Sequence, residues 1–536
     1  MRKIKFIYIC LLLLLQQQVF AESVESIFQS LSSAHFSILS KDETLQFVSL
    51  TKKLNSAGLT WRPTLELAKD QTPCHPNHFR EALAKSLSPE LTLKDFWQRC
   101  ESEWRLNSFN QFTHAAQILR TQFDPTEHPA VRAVQWTLRD QVKVRGLLFF
   151  KGKVRRPLVI LRPGIFSQLR SSVAERFLMM QLFEEGPYHV LVIPSTTGRD
   201  YIELNHQFVF GGFDEGLQTF AILKLLNSPE EPLQRYISKI HLVGISLGGH
   251  GLWLTNLLNQ AENEADRVGI IDKTLLLCPS VDLGATAEEQ RRHILSDFFV
   301  NAWFNLRLAP LRQELDVAEN EAISSVFEKA LTNYKSPTLP WPLTGLQPPA
   351  SPQPFWVWNS FWSWMPPYDF KRTFVLWTAV DPVVAPQVNA HTLAKQLHAP
   401  ESALLELPRG LHCSLPTTYV WPAVSLTLRG YLDSRSLSKT QTWQHNFDQL
   451  ASIKSVEMVK LVLEGDLKNF EVSLMVRFEN PLLAPLEQRV RLPATLSDLN
   501  WVIADFNETL KDSLVREFSS RMKWSQTSKG WAISLE

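Results

Sequence analysis

The residue best placed to do chemistry is Ser246, in the run Gly244-Ile245-Ser246-Leu247-Gly248. A serine hydroxyl is a poor nucleophile at neutral pH, so attack needs a base to take its proton and a partner to hold that base. The oxygen of an attacked carbonyl then needs N–H groups aimed at its developing charge. Gly-x-Ser-x-Gly by itself occurs often by chance. Its surroundings here are more specific: Ile240 to Ile245 is a short apolar run that reads as a buried strand, and Leu252, Leu254, Leu257 and Leu258 begin a helical pattern directly afterwards. Strand, tight turn, helix is the setting of a nucleophile elbow. Glycines on either side let backbone pass close by, and the free N–H groups of the helix N-terminus face the serine.

On these residues the chain resembles the α/β-hydrolase superfamily, over about residues 131 to 430, with both ends outside the resemblance. The resemblance implies an acid and then a histidine after the serine, each just beyond a later strand. Asp381 follows the apolar run Thr373 to Thr378 in an Asp-Pro turn, and is the expected acid; Asp282, after the preceding strand, is the runner-up. His412 follows the last strand, Ala403 to Leu407, in Gly410-Leu411-His412, and is the expected base. His241 and His250 flank the elbow inside strand and helix and read as packing residues. The oxyanion loop, which usually carries His-Gly, is here Arg162-Pro163-Gly164-Ile165-Phe166. Its donor would be the N–H of Ile165, or alternatively that of Phe166, paired with the N–H of Leu247. An ordinary Pro-Gly turn is the bland account of the same loop.

The elements that must position these residues alternate along the chain. Ala133 to Leu138 and Val142 to Phe150 read as strands joined at Arg139-Asp140, and Pro157 to Leu161 as a central parallel strand. A helix over Ser172 to Phe183, a strand over His189 to Ile193, a helix over Glu215 to Leu226, the elbow strand and a strand over Lys273 to Cys278 follow. A helix near Ala394 to Leu397 precedes the last strand. Such alternation predicts an α/β fold with a doubly wound, mostly parallel sheet. The pattern stops for roughly ninety residues, about 283 to 370, too long for a loop and so an insertion. The superfamily carries its cap at that point. The first part of the insertion is helical and charged; the second holds Trp341, Phe355, Trp356, Trp358, Phe361, Trp362 and Trp364. With Phe166, the rings Trp356, Trp358 and Trp362 are candidates for an apolar substrate pocket. The same rings could instead anchor the cap to the sheet, or touch a membrane surface weakly.

Outside that region the sequence says less. The chain has 536 residues, enough for two or three folded units. Its net charge of +1 gives no global field for nucleic acid or an anionic membrane. Met1 to Lys5 is basic, Phe6 to Leu15 is an apolar run too short to span a bilayer, and Val19-Phe20-Ala21 suits a signal peptidase, with cleavage expected after Ala21. Export to a periplasm or outside the cell is the expectation. Beyond Cys10 there are four cysteines, Cys74, Cys100, Cys278 and Cys413, an even number that suits an oxidising compartment. Cys74 with Cys100 is the natural pair; Cys278 and Cys413 read either as a second pair or as two buried thiols. No cysteine pair shows zinc-ligand spacing with histidine, and His75 and His78 beside Cys74 read as turn residues between prolines, so neither metal nor cofactor is indicated.

Residues 22 to 130 read as a helical N-terminal region, with a helix over Asp42 to Leu54 and another opening at the capping-box run Thr92-Leu93-Lys94-Asp95. Asp433 to Gln444 reads as a linker into an α+β region to residue 536: a strand pair (Val456 to Leu463 and Val472 to Phe478), a helix with its apolar face at Leu499 to Leu514, and two strands around Lys529-Gly530. The resemblance implies a serine hydrolase of carboxylic esters, working on a small-molecule or lipid-like substrate through Ser246, His412 and Asp381. A peptidase on the same fold and a catalytically silent binding protein are the alternatives. Oligomeric state is not legible.

Overall fold

The structure is a computed structural model. It describes most of residues 73–433, a stretch near residues 28–40, and six backbone strands beyond residue 440; residues 1–27, 44–72, 112–129, 335–353, 361–367, 447–455 and 494–521 are among those not described. The leader, the helix expected over Asp42 to Leu54 and that expected over Leu499 to Leu514 therefore lie outside the described residues, as does most of that expected over Ser172 to Phe183. Among the described residues no helix is long and apolar enough to cross a membrane.

Nine strands form one sheet: β1 (Phe36–Ile38), β2 (Val131–Thr137), β3 (Lys143–Phe149), β4 (Arg156–Arg162), β5 (His189–Val192), β6 (Ile237–Ile245), β7 (Ile271–Leu277), β8 (Thr373–Thr378) and β9 (Leu404–Leu407). Their order is β1-β2-β3-β5-β4-β6-β7-β8-β9. From β5 to β9 every neighbouring pair is parallel, while β1, β2 and β3 are joined antiparallel at one edge. The central strands are apolar on both faces because helices cover both: all of β4, and β6 from Ile240 to Gly244, are buried. Along the chain the described helices are α1 (Pro76–Lys85), α2 (Pro89–Trp104), α3 (Arg199–Asn205), α4 (Gly212–Asn227), α5 (Leu247–Ala261), α6 (Leu283–Arg292), α7 (Ser324–Thr332), α8 (Pro354–Trp358), α9 (Ala390–Gln396), α10 (Leu415–Thr418) and α11 (Trp421–Asp433). Two large apolar clusters lie on the two faces of the sheet. One gathers Leu242, Leu252 and Trp253 with α4, the other Val243, Leu275 and Leu405 with α1, α2 and α11. This is the α/β-hydrolase fold, with α6 to α8 in the insertion between β7 and β8.

The N-terminal region departs from the expected all-helical reading. Phe36–Ile38 is a strand that extends the sheet, with Phe36 opposite Trp136 and the two rings 4.9 Å apart. Three residues are too few to show a period. The second helix also begins earlier than the capping-box run, at Pro89 after Ser88: proline fits the first turn, where its missing N–H would be unpaired anyway, and Thr92 bonds back to the Ser88 carbonyl. Trp97 donates its indole N–H to Thr427 Oγ1 in α11 at 2.8 Å, fastening α2 to the hydrolase region.

Cys74 and Cys100 form a disulfide, as expected from their shared helical region, and Trp104 donates to the Cys74 carbonyl at 2.8 Å. The bridge spans 26 residues of sequence. Loop-closure arithmetic gives it about 3.5 kcal/mol of stability. Paired Cys74→Ser and Cys100→Ser substitutions are expected to lower the unfolding free energy measured in urea by that amount, with the m-value rising as the unlinked denatured chain exposes more surface.

Beyond residue 440 the strands Gln441–Asn446, Val456–Asp466, Asn469–Phe478 and Leu486–Pro493 form an antiparallel four-stranded sheet in chain order, and Met522–Thr527 pairs with Gly530–Leu535. The expected strand pair and terminal hairpin are present. The run expected to be a linker is shorter than its polarity suggests, since Asp433 closes α11 and Gln441 opens a strand paired with Val456–Asp466.

Candidate active site

Ser246 stands between β6 and α5 with φ 54° and ψ −122°, a left-handed conformation that a side chain tolerates only when its surroundings enforce it. The enforcement comes from close packing on either side. A Cβ on Gly248 would lie 2.2 Å from the Pro163 carbonyl oxygen, and one on Gly244 would lie 2.6 Å from Gly249 Cα. Only glycine fits at either position. The loop after β4 therefore runs directly over the elbow: a Cβ on Gly164 would be 3.2 Å from Ser246 Cβ and 3.7 Å from its Oγ.

That contact sorts the two oxyanion candidates. The N–H of Phe166 donates to Thr197 Oγ1 at 2.7 Å and is occupied. Among the described residues the N–H of Ile165 has no protein acceptor, and Leu247 opens α5, where the N–H has none within the helix. Arg162 takes no part in the loop's exposed surface. Its wholly buried guanidinium donates to Thr219 Oγ1 (2.9 Å), to the Pro194 carbonyl (2.7 Å) and to the Glu215 carbonyl (3.1 Å). Burial pulls its pKa down and the nearby Glu215 carboxylate pushes it back up.

Asp381 lies in the turn after β8 and His412 in the loop after β9. His412 Nδ1 and Asp381 Oδ2 are 2.7 Å apart, with the carboxylate side chain 1% exposed and the imidazole 19%. The other carboxylate oxygen accepts the N–H groups of Val383 and Val384, each at 2.8 Å. Three bonds thus fix the acid, and with Nδ1 turned to it the imidazole is left with Nε2 free to act. Ser246 Oγ and the imidazole are not hydrogen-bonded among the described residues. They are neighbours through the adjoining backbone: the Ser246 N–H and the Cys413 thiol both donate to the Leu277 carbonyl, at 2.9 and 3.2 Å. Such bonds are often long before substrate binds.

Asp282, the other candidate acid, is engaged elsewhere. Its Oδ1 accepts the Ala285 N–H at 2.8 Å, capping α6, and its Oδ2 accepts the Ser360 hydroxyl at 2.8 Å. His250 is buried in α5 with Nδ1 2.8 Å from the Ser280 carbonyl, and burial lowers its pKa to about 4. His241 is buried in β6, also away from solvent.

The cap-side wall is aromatic. Leu247 clusters with Leu283 and Phe355, and Ile165, Phe210, Tyr334 and Trp356 pack on that group. Phe166 packs edge-on to Phe304 at 4.9 Å and shares its cluster with Phe208. Trp356 thus lies beside the elbow, whereas Trp358 is packed into the main core, 4.5 Å from Phe213. Trp341, Trp362 and Trp364 lie outside the described residues. Phe208 and Phe210, in the loop before α4, are members of this wall that the sequence did not single out.

Beside the same wall Asp214 is half-buried, and the desolvation of its carboxyl raises its pKa to about 7 against the lowering effect of the Tyr334 hydroxyl. A carboxyl whose folded pKa exceeds its unfolded value of about 3.9 holds a proton that the unfolded chain has lost. Its stabilising contribution is full below pH ~4 and disappears as pH rises through about 7. Asp214→Asn is expected to flatten the fall in melting temperature across that interval, measured by thermal unfolding from pH 4 to 8; an unchanged slope would contradict the assignment.

No protein-family model and no curated protein matches the chain. Solved structures do: a lipase/esterase from Lactobacillus plantarum is similar at 13% identity and TM-score 0.32, covering 56% of this chain and 99% of that one. An esterase from Pyrococcus furiosus is similar at 17% identity and TM-score 0.33, covering 56% and 90%. A 2,6-dihydroxy-pseudo-oxynicotine hydrolase is similar at 14% identity and TM-score 0.36, covering 76% and 88%. Likeness at this level carries no functional inference.

Proposed function

We propose that the chain is an exported serine hydrolase acting on carboxylic esters. Ser246 Oγ attacks the acyl carbon and its proton passes to His412 Nε2. Asp381 holds the imidazole in the tautomer that leaves Nε2 free and stabilises the imidazolium that forms. The N–H groups of Ile165 and Leu247 receive the oxyanion. His412 then protonates the leaving alcohol, and water, activated by the same base, releases the acyl group from Ser246. The observation that carries the reading is the 2.7 Å bond between His412 and Asp381 at the C-terminal ends of the parallel strands, where Ser246 is held in a left-handed turn. The aromatic wall around Phe210, Phe355 and Trp356 supports an apolar acyl group. The Cys74–Cys100 disulfide is compatible with an oxidising compartment.

The test is a comparison of p-nitrophenyl esters of short and long acyl chains with aminoacyl p-nitroanilides, using the purified full chain. Turnover of esters with little action on the amides is expected. A folded protein that cleaves neither, or that prefers the amides, would overturn the reading.

A further inference from the structure

Behind His412 stand two cysteines that the hydrolytic chemistry does not use. Cys278 directly follows β7 and is buried; Cys413 follows the histidine and is partly buried; both are thiols. Each has a left-handed backbone, φ 45° and 50°, which turns both residues out of regular structure at the C-terminal ends of the parallel strands. The two Sγ atoms and an imidazole nitrogen of His412 all lie within 4.8 Å of one another. Two sulfurs at this spacing would by themselves suggest only a disulfide. The third donor changes the reading: the imidazole is already oriented by a carboxylate, and a carboxylate behind a histidine is the usual outer support of a metal ligand.

We propose that Cys278, Cys413 and His412 form a binding site for a thiophilic divalent cation, with zinc the first candidate. Two thiolates, one imidazole and an open fourth position make a tetrahedral set. Zinc–sulfur bonds of ~2.3 Å space tetrahedral sulfurs by roughly 3.8 Å, so the two sulfurs, within 4.8 Å of each other, need draw together by no more than about 1 Å. As the metal binds, each thiol gives up its proton to solvent, and the sulfurs become thiolates bound to the cation. Nδ1 stays with Asp381, so the nitrogen given to the metal is Nε2. That is the lone pair His412 would use against Ser246, so occupancy switches hydrolysis off. The inhibitory consequence rests on the proposed ester hydrolysis; the binding site does not.

The experiment uses the metal-free full chain as isolated, with the Cys74–Cys100 disulfide intact. Cobalt(II) is added as a spectroscopic stand-in for zinc, and Zn²⁺ is titrated separately against ester hydrolysis. One cobalt per chain is expected, with a thiolate-to-metal charge-transfer band that zinc displaces. The band should persist in Ser246→Ala and vanish in Cys278→Ser and in Cys413→Ser, with circular dichroism confirming that each is folded. Asp381→Asn should weaken cobalt affinity by about 10–100-fold through loss of the outer support. Zinc should inhibit the wild-type chain reversibly, with chelator restoring activity, and should inhibit the two serine variants at least tenfold less well. A wild-type chain that gives no band, a band untouched by either cysteine substitution, or an isolated protein whose Cys278 and Cys413 are already joined as a disulfide would overturn the site. A band without ester turnover in any form would instead retain the site and reject the hydrolase.

Discussion

Replacing Ser246 with alanine is expected to lower ester hydrolysis by about 10⁶-fold in kcat while leaving the chain folded. In serine hydrolases the nucleophile and its base act as a unit, and losing the serine removes the covalent route altogether. The change subtracts one oxygen from a residue 7% exposed, and it relieves none of the close packing that Gly244 and Gly248 impose on the turn. Thermal stability should therefore stay close to that of the wild type. A residual rate of about 10³–10⁴ over water would remain if the Ile165 and Leu247 N–H groups still receive the oxyanion. The control is His412→Ala, whose loss should be of similar size because nucleophile and base act as a unit. A Ser246→Ala chain with an undiminished rate would show that any esterase activity resides elsewhere.

The second large effect concerns stability. Arg162→Met is expected to destabilise the protein by about 3–5 kcal/mol, because it removes the cation from beside a buried carboxylate. Glu215 is wholly buried, and burial raises its pKa while the charge of Arg162 lowers it. Its Oε1 accepts the hydroxyl of Ser195 at 2.6 Å and the N–H of Thr196 at 3.0 Å. Arg162 and Glu215 thus tie the end of β4, the turn after β5 and the start of α4 into one polar knot under the Gly164 loop. With methionine at 162, Glu215 must remain charged without compensation or take up a proton, and the Pro194 carbonyl loses its guanidinium donor while the Glu215 carbonyl keeps the Thr219 hydroxyl at 2.7 Å. Adding Glu215→Gln to Arg162→Met should restore part of the loss, which separates charge imbalance from lost packing. Urea unfolding of the wild type, Arg162→Met, Glu215→Gln and the double variant measures it. Equal stability of Arg162→Met and wild type would show that the knot contributes nothing.

The candidate site residues could be picked out of the sequence because each sits just after a strand, and buried strands announce themselves as short apolar runs. Ser246 follows Ile240 to Ile245, Asp381 follows Thr373 to Thr378, and His412 follows Leu404 to Leu407. The acceptors that decide finer questions are distant in the chain, and there the sequence is silent. Ile165 and Phe166 look equivalent until Thr197, thirty-one residues on, takes the Phe166 N–H. Arg162 looks like a departure in an oxyanion loop; its partners, at positions 194, 215 and 219, show it to be a brace. Phe36–Ile38 is too short for a period, and its pairing with β2 is decided a hundred residues away. Trp356 and Trp358 differ by two positions yet lie in different clusters, because they fall on different sides of a five-residue helix. No local zinc pattern exists around Cys278 because its neighbours, His412 and Cys413, follow β9, two strands away in the sheet but distant in the chain.

The measurement that bears most directly on the site is covalent labelling with a fluorophosphonate, followed by mapping of the modified peptide by mass spectrometry. Only a serine whose proton is being taken reacts quickly, so the probe reports whether hydroxyl and imidazole meet in solution. The expected result is one label per chain, on Ser246, abolished by Ser246→Ala and reduced at least a thousand-fold in rate by His412→Ala. A folded, metal-free protein that takes no label, or takes it at another residue, would contradict the account.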